Sequence, residues 1–177
     1  MKRKAVIREI LEYLFIFVVV IALVWVMDTY LIVNAQIPSE SMENTIMTGD
    51  RIIGNRLAYN THIPQRYDII IFKYPDDESV LYIKRIIGLP GDTVYITDGK
   101  VYINYSLVPL DDSFTPETPI GDFGPYQVPG NSYFVLGDNR NCSFDSRYWE
   151  NTFVHEDQIL GKAAFCYYPF GRFGKIE

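Results

Sequence analysis

The chain has 177 residues and a formal net charge of −6, which fits one ordinary domain plus an appendage. Because an acidic chain lacks the clustered Lys and Arg that phosphate contacts require, we exclude a nucleic-acid-binding function. The two cysteines, Cys142 and Cys166, are too few for a disulfide framework, and whether they form one bond or remain two thiols is open.

The first predicted element is an apolar membrane-spanning helix that follows a basic N-terminus. Residues 13–27 carry no charge, and the apolar stretch extends to Val33 with Asp28 as its one acid. About 20 such residues suffice to span a bilayer. The preceding basic residues favour a cytoplasmic N-terminus by the positive-inside rule; they are Lys2, Arg3, Lys4 and Arg8. We therefore predict a cytoplasmic basic tip with a transmembrane anchor in the membrane lipids, residues 1–33, and an extracytoplasmic domain, residues 34–177.

Two other interpretations of this segment are weaker. Val33-Asn34-Ala35 resembles the cleavage site of a removable signal peptide, but the apolar run is long for one and Asp28 lies awkwardly before the site. A buried core helix would have to be unusually apolar and to begin with four basic residues. The same Val33-x-Ala35 pattern also raises the idea that a second molecule clips the chain there.

The sequence pattern of residues 34–177 predicts a mostly β domain. Asp98-Gly99 lies between two apolar runs and predicts a hairpin turn. The proline-rich stretch Val108–Pro129 has no clear period, so we expect a long loop at about residues 105–130. Six runs rich in β-branched and aromatic residues predict strands, namely Tyr67–Lys73, Val80–Ile87, Thr93–Thr97, Lys100–Asn104, Ser132–Leu136 and Ala163–Tyr168.

Common catalytic motifs are missing from the sequence. Neither G-x-S-x-G nor S-x-x-K occurs. His62 and His155 lie in polar, loop-like contexts, so neither is favoured as a catalytic base. No Cys and His residues have metal-ligand spacing, and we predict no metal or cofactor.

Lys84 is the first unusual residue, because it shares a predicted strand face with Val80, Tyr82 and Ile86. Lysine is rarely buried without a partner. Burial disfavours the ammonium and lowers the pKa of the amine, and a neutral amine can act as a general base. Taken alone, the same pattern is explained somewhat better by a lysine on an edge strand that keeps its charge in water.

Two polar segments complete the set of candidates. The first holds two serines in a turn-prone stretch, Ser39-Glu40-Ser41-Met42, which alone is typical of a juxtamembrane linker. The second, Gly137–Arg147, follows a predicted strand and carries two acids and two arginines. Exposed ion pairs contribute only about 0–1 kcal/mol each to stability. Stability alone is therefore a weak reason for so many charged residues in one short loop.

Together and in this order, the three segments resemble the motifs of the bacterial type I signal peptidases, or leader peptidases. The matching stretches are Ser39–Met42, Lys84–Gly88 and Gly137–Arg147. Leu89–Asp92 extends the lysine motif, and Asp50-Arg51 matches the strand that follows the serine motif. The resemblance spans nearly the whole chain. It implies an antiparallel β-rich peptidase domain behind one N-terminal transmembrane helix.

The resemblance also implies a role for each matching residue. Ser41 matches the nucleophile, Lys84 the general base, and Ser39 the hydroxyl that forms the oxyanion hole with the backbone N–H of Ser41. Ser143 matches the serine that orients the lysine amine. The remaining matches are supporting ion pairs and side chains that line the site: Asp145 with Arg147, Arg85 with Asp138, and Met42 and Tyr82.

The implied activity is removal of signal peptides from preproteins that emerge from the secretion translocon at the bacterial cell membrane. Two alternatives stay open, a self-cleaving Ser–Lys protein like the SOS-type repressors and a catalytically inactive anchored domain that binds peptides or envelope components. Glu40 and Asn44 depart from the family pattern, which often has proline at the position that Asn44 occupies. We expect Asn44 to loosen the turn after Ser41.

Overall fold

The computed structural model describes residues 2–176, with side chains described from Val6 onward. Helix α1, Lys2–Val26, continues into a π-helical turn, Met27–Leu31. The span Val6–Leu31 is long and apolar enough to cross a membrane by length and composition. No part of its most apolar window is buried against the protein, which argues against a core helix.

The helical segment ends before Val33, because the chain enters the first strand at Ile32. Val33 is 4% exposed and packs in the core. The strand pairs Ala35 with Ile52 and Gln36 with Arg51. Cleavage after Ala35 would therefore require this strand to leave the sheet, which disfavours both signal-peptide removal and clipping at this position in the folded protein.

The main sheet is antiparallel and carries the catalytic candidates. Its spatial order is β1-β2-β10-β3-β4-β8-β9, with β11 paired to β10. The strands are β1 Ile32–Gln36, β2 Arg51–Asn55, β3 Ile69–Tyr74, β4 Asp77–Gly88, β8 Ser132–Leu136, β9 Val154–His155, β10 Ile159–Tyr168 and β11 Gly174–Lys175. Short 3-10 helices connect them at Arg56–Tyr59, Arg140–Cys142, Glu156–Gln158 and Phe170–Arg172. The mostly antiparallel β fold is thus confirmed.

A second, three-stranded sheet has the order β6-β5-β7, with β5 Thr93–Thr97, β6 Lys100–Ile103 and β7 Phe123–Gln127. The hairpin predicted at Asp98-Gly99 is present: φ is 51° at Asp98 and 68° at Gly99. Positive φ at both central residues is what a tight two-residue hairpin turn requires.

All six predicted strands occur, but the predicted loop at 105–130 contains a strand. β7 pairs with β5 through Thr93↔Gln127 and Val94↔Tyr126. Gly124 and Pro125 within β7 hide its pattern, because both residues weaken a strand prediction. The strand is tolerated because β7 is the edge of its sheet, where a missing N–H leaves no ladder bond unmade.

Three apolar clusters surround β4, which lies at the centre of the fold. One contains Met42 and Ile46 and packs against Ile83, the second contains Ile87, and the third contains Ile86. Lys84 therefore lies in a strand between the partly buried Ile83 and the fully buried Ile86.

Candidate active site

Lys84 contacts Ser41 directly at the centre of the structure. The Nζ atom donates to the Ser41 hydroxyl oxygen at 2.5 Å, across 43 residues of sequence. Lys84 is 4% exposed and Ser41 is 6% exposed. The structure therefore brings together the two residues that the motifs assign as base and nucleophile, at hydrogen-bond distance.

Burial changes the protonation of this lysine. Loss of solvent lowers the pKa of Lys84 from 10.5 to about 8, while the carboxylates of Asp145 and Asp138 act in the opposite direction. The cation of Arg147 adds a smaller lowering effect. A substantial fraction of the amine is consequently neutral near pH 8, as a general base must be.

Ser41 opens a tight turn that is anchored by apolar side chains. The backbone N–H of Ile46 donates to the carbonyl of Met42 at 2.8 Å, and both side chains are at most 2% exposed. The exposed Ser39 lies beside the nucleophile, with 3.3 Å between the two hydroxyl oxygens. Ser39 is thus close enough to serve the same reacting group.

The turn after Ser41 is closed rather than loosened, so the expectation for Asn44 is wrong. Asn44 has φ of 87°, which proline cannot adopt and asparagine tolerates well. Its side-chain amide donates to the carbonyl of Phe114 at 2.7 Å. The other departure, Glu40, is exposed, and its carbonyl accepts from the Asn139 amide at 3.2 Å.

Both ion pairs implied by the resemblance are present and buried. Arg85 binds Asp138 through two hydrogen bonds, of 2.8 and 2.7 Å. Arg147 binds Asp145 in the same two-pronged way, at 2.8 and 2.9 Å. Parallel pairs of this kind fix orientation as well as charge. They flank Lys84 from the adjacent β4 position and from the loop after β8.

Ser143 lies within the site, but its predicted hydrogen bond to Lys84 is not made. Among the described residues its hydroxyl has no hydrogen-bond partner, although it is buried. Its neighbour Gly137 is packed so closely that an added Cβ would overlap both the Ser143 hydroxyl and the Ser41 carbonyl oxygen. The orienting role of Ser143 stays a prediction.

Gly137 is therefore a site residue that the sequence reasoning did not single out. Its N–H donates to Asp145 at 3.1 Å, and the N–H of Asn139, two residues further on, donates to the Ser41 carbonyl at 3.1 Å. Its place at the start of the third motif could have indicated this role. Only glycine lets the Ser143 hydroxyl and the Ser41 carbonyl approach the backbone so closely. Thr45 was missed as well: its hydroxyl donates to Asp138 at 2.5 Å.

A groove of about 550 Å³ opens onto the Ser41–Lys84 pair. Its lining includes residues 34–38 and Val80–Lys84. Met42 and Tyr82 line it as the resemblance implies, and the Lys84 amine lies 5.5 Å from the centre of the Tyr82 ring. The unbonded, exposed Cys142 also lines the groove.

The second cysteine and the two histidines lie elsewhere. Cys166 is unbonded and buried in the core that contains Met42, so the two cysteines do not form a bond. His62 contacts Thr61 and His155 contacts Asp157, both on the surface. Neither histidine lines the groove.

Comparison with known proteins agrees with these motifs. The model of the signal peptidase family, peptidase S26, matches residues 10–168. A probable signal peptidase I-2 of Synechocystis sp. is 41% identical over 145 residues, which cover 79% of this chain and 65% of that protein. This chain thus spans about two thirds of the length of that relative.

A second relative is similar over almost its whole length. Signal peptidase I S of Bacillus subtilis is 34% identical, and the alignment covers 96% of this chain and 95% of that protein. A crystal structure of a signal peptidase I from Enterococcus faecalis is 38% identical, covering 56% of this chain and 95% of that chain with a TM-score of 0.48. The extent of the family match and the identity to the Bacillus subtilis protein show that the chain belongs to the signal peptidase family, peptidase S26, a family of serine hydrolases.

Proposed function

We propose that this chain is a membrane-bound serine endopeptidase that removes N-terminal signal peptides from exported preproteins. The observation that carries the proposal is the buried 2.5 Å contact between the Lys84 amine and the Ser41 hydroxyl. A serine hydroxyl is a weak nucleophile until a base takes its proton, and the lowered pKa of Lys84 makes it such a base.

The reaction follows from these two groups. Neutral Lys84 takes the Ser41 proton while the serine oxygen attacks the scissile carbonyl. The tetrahedral intermediate then collapses, the C–N bond breaks, and the Lys84 ammonium returns the proton to the leaving amine. Water hydrolyses the acyl-enzyme ester with Lys84 again as base, which regenerates the Ser41 hydroxyl.

The oxyanion of the intermediate needs donors that are already in place. The Ser39 hydroxyl, 3.3 Å from the Ser41 hydroxyl, and the backbone N–H of Ser41 are the two candidates. Preorganised donors of this kind stabilise the developing charge without any rearrangement during the reaction. Asn139 supports this arrangement because its N–H holds the Ser41 carbonyl.

The groove suits an extended peptide. β8 pairs with β4 only from Arg85 onward, so the side of Val80–Lys84 that faces the groove keeps unpaired backbone groups. β1, whose last residues also line the groove, is an edge strand. A substrate segment can add as a strand along such an edge, with alternate side chains entering shallow pockets. Small residues such as Ala before the cleaved bond suit these pockets.

The helix Val6–Leu31 supplies the location. With the basic N-terminus in the cytoplasm, the peptidase domain lies outside the cell membrane, next to lipid headgroups. Signal peptides emerging from the translocon share that surface, so enzyme and substrate are confined to one plane.

The test is cleavage of a preprotein by the full chain in liposomes. We expect cleavage after a small residue, and loss of cleavage when Ser41→Ala removes the nucleophile. Replacing the substrate residue before the cleaved bond with Trp should also block the reaction. Binding of the preprotein without any cleavage by the wild-type chain would instead support the inactive, peptide-binding alternative.

A further inference from the structure

The segment Asp112–Ile120, between β6 and β7, has no assigned role. It contributes no residue to the groove. It nevertheless contacts the turn that follows the serine motif, the lysine motif and the loop Gly137–Arg147, which are distant from one another in sequence. A connecting segment needs no such set of contacts merely to join two strands.

Asp112 makes the first contact, with Arg140. Both carboxylate oxygens accept from the guanidinium, at 2.8 and 2.9 Å, and Arg140 is 2% exposed. The Nε atom of Arg140 donates to the Gly137 carbonyl at 3.0 Å. Because Gly137 packs against the Ser41 carbonyl, the charge of Asp112 holds in place a loop that contacts the nucleophile.

Phe114 makes the second and third contacts. The centre of its ring lies 4.2 Å from the Arg85 guanidinium carbon, so the ring covers the cation that follows Lys84 and binds Asp138. The Phe114 carbonyl accepts the Asn44 amide at 2.7 Å, three residues after Ser41. One residue thereby touches the immediate neighbourhoods of both catalytic groups.

Asn141 makes the fourth contact and closes the segment onto the loop after β8. Its side-chain oxygen accepts from the Ile120 N–H at 3.0 Å. Its amide nitrogen donates to Glu117 and to the Thr118 carbonyl, both at 3.1 Å. The segment is thus fastened at both ends.

We propose that Asp112–Ile120 is a positioning strap, in which Asp112 and Phe114 act through Arg140, Arg85 and Asn44 to fix the distance between Ser41 and Lys84. The inference rests on the proposed peptidase function. Since misplacement of reacting groups by about 1 Å can lower a rate about 100-fold, such a strap controls catalysis without touching substrate.

The test compares two strap variants with two matched controls in the full chain. Phe114→Ala and Asp112→Asn should each lower kcat about 10- to 100-fold while KM changes less than about twofold, because the groove is intact. Leu107→Ala, at a side chain 97% exposed in the same loop, should leave kcat unchanged. Asp111→Asn removes the exposed neighbouring carboxylate and should also leave kcat unchanged.

A pH profile separates positioning from a merely structural role. The charged groups that face Lys84 are Asp138, Asp145 and Arg147, with Arg85 beside it. Loss of the Phe114 ring loosens Arg85 from Asp138, and the less neutralised Asp138 carboxylate then raises the pKa of Lys84. The acid limb of kcat should therefore move to higher pH in Phe114→Ala, and Phe114→Tyr, which keeps the ring, should restore wild-type behaviour.

The outcomes are distinguishable. Wild-type kcat and pH midpoint in Phe114→Ala and Asp112→Asn, with Ser41→Ala inactive, would overturn the strap alone. Activity retained by Ser41→Ala would overturn the peptidase proposal itself. If Phe114→Ala does not fold, Phe114→Leu takes its place, measured at a temperature where Trp149 fluorescence reports the native state.

Discussion

Lys84 and Lys162 are the cross-strand neighbours of the same residue, Ile70, on its two sides. Their environments differ completely. Lys84 is 4% exposed and bonds a neutral hydroxyl, whereas the Lys162 side chain is 45% exposed and pairs with Asp68. The two lysines occupy equivalent places in one row of the sheet.

The difference shows what makes a lysine a base. Lys162 keeps water and a carboxylate, both of which stabilise the ammonium. Lys84 has lost the water, and the acids near it, Asp138 and Asp145, are already bound by arginines. Lys84 is buried and has no carboxylate partner of its own, so its pKa is lowered. A neutral amine can therefore form there and act as a base, which an ammonium in a structural ion pair cannot do.

The largest expected effect comes from removing each amine in turn. Lys84→Met should lower cleavage by at least about 10²- to 10⁴-fold, the usual contribution of a general base. Lys162→Met should stay within about twofold of wild type, since Lys162 does not line the groove. Preprotein cleavage in liposomes measures both. Near-wild-type cleavage by Lys84→Met would end the assignment of Lys84 as base.

The next largest effect is expected from removing the Ser39 hydroxyl, which lies beside the nucleophile. This change tests whether catalysis needs a group besides Lys84. Ser39→Ala should lower kcat about 10²- to 10³-fold, because one donor to the oxyanion is lost. The contact between Ser41 and Lys84 does not depend on it, so the pH midpoint should stay unchanged. Ser39→Thr keeps a hydroxyl and is the control. An unchanged kcat in Ser39→Ala would remove Ser39 from the oxyanion hole.

A smaller effect is the pH dependence of the wild-type enzyme. The neutral form of Lys84 is the active one, so kcat/KM should rise with pH through about 8 and then level off. Below the midpoint the rate should fall about tenfold per pH unit. Lys162→Met should show the same midpoint. A rate that stays flat from pH 6 to 10 contradicts a lysine base.

The smallest effect concerns stability, where the two lysines should differ in sign. Unfolding raises the pKa of Lys84 from about 8 to 10.5, so its burial destabilises the fold fully below pH 8, and the penalty fades as pH rises to 10.5. Lys84→Met should therefore raise the free energy of unfolding at pH 7 by up to about 3 kcal/mol, at 1.36 kcal/mol per pKa unit.

Lys162→Met is the comparison, and it should lower the free energy of unfolding by about 1–3 kcal/mol, because it leaves the largely buried Asp68 carboxylate without its cation. Urea unfolding of the detergent-solubilised proteins at pH 7 and pH 10 measures both changes. If Lys84→Met destabilises the fold, or if its gain grows toward pH 10, the burial penalty inferred for Lys84 is wrong.

Local patterns sufficed to predict the anchor and most strands. An uncharged apolar run and alternating β-branched residues are properties of neighbouring positions, so they can be recognised without the fold. The order of three short motifs likewise pointed to the family and to Ser41 and Lys84. β7 escaped because Gly124 and Pro125 obscure a strand that is stabilised by its partner β5.

Only the tertiary structure decided which polar residues are buried and what they contact. The face that carries Lys84 is apolar in the sequence, but whether water reaches it depends on Ser41 and Met42, more than 40 residues away. From the sequence, Asn44 was expected to loosen the turn after Ser41. Its positive φ and its hydrogen bond to Phe114 are set by the fold. The residues around Asp112 gave no indication that it is part of an ion pair, because its partner Arg140 lies in the loop after β8.

For the Ser41–Lys84 pair, the sequence by itself determined which residue types could react, and the fold determined that they meet. Charge, hydrogen-bonding capacity and apolar periodicity are carried by each residue and its neighbours. Burial, pKa and distance are properties of the packed whole, since each is set by groups that only the fold brings within a few ångströms.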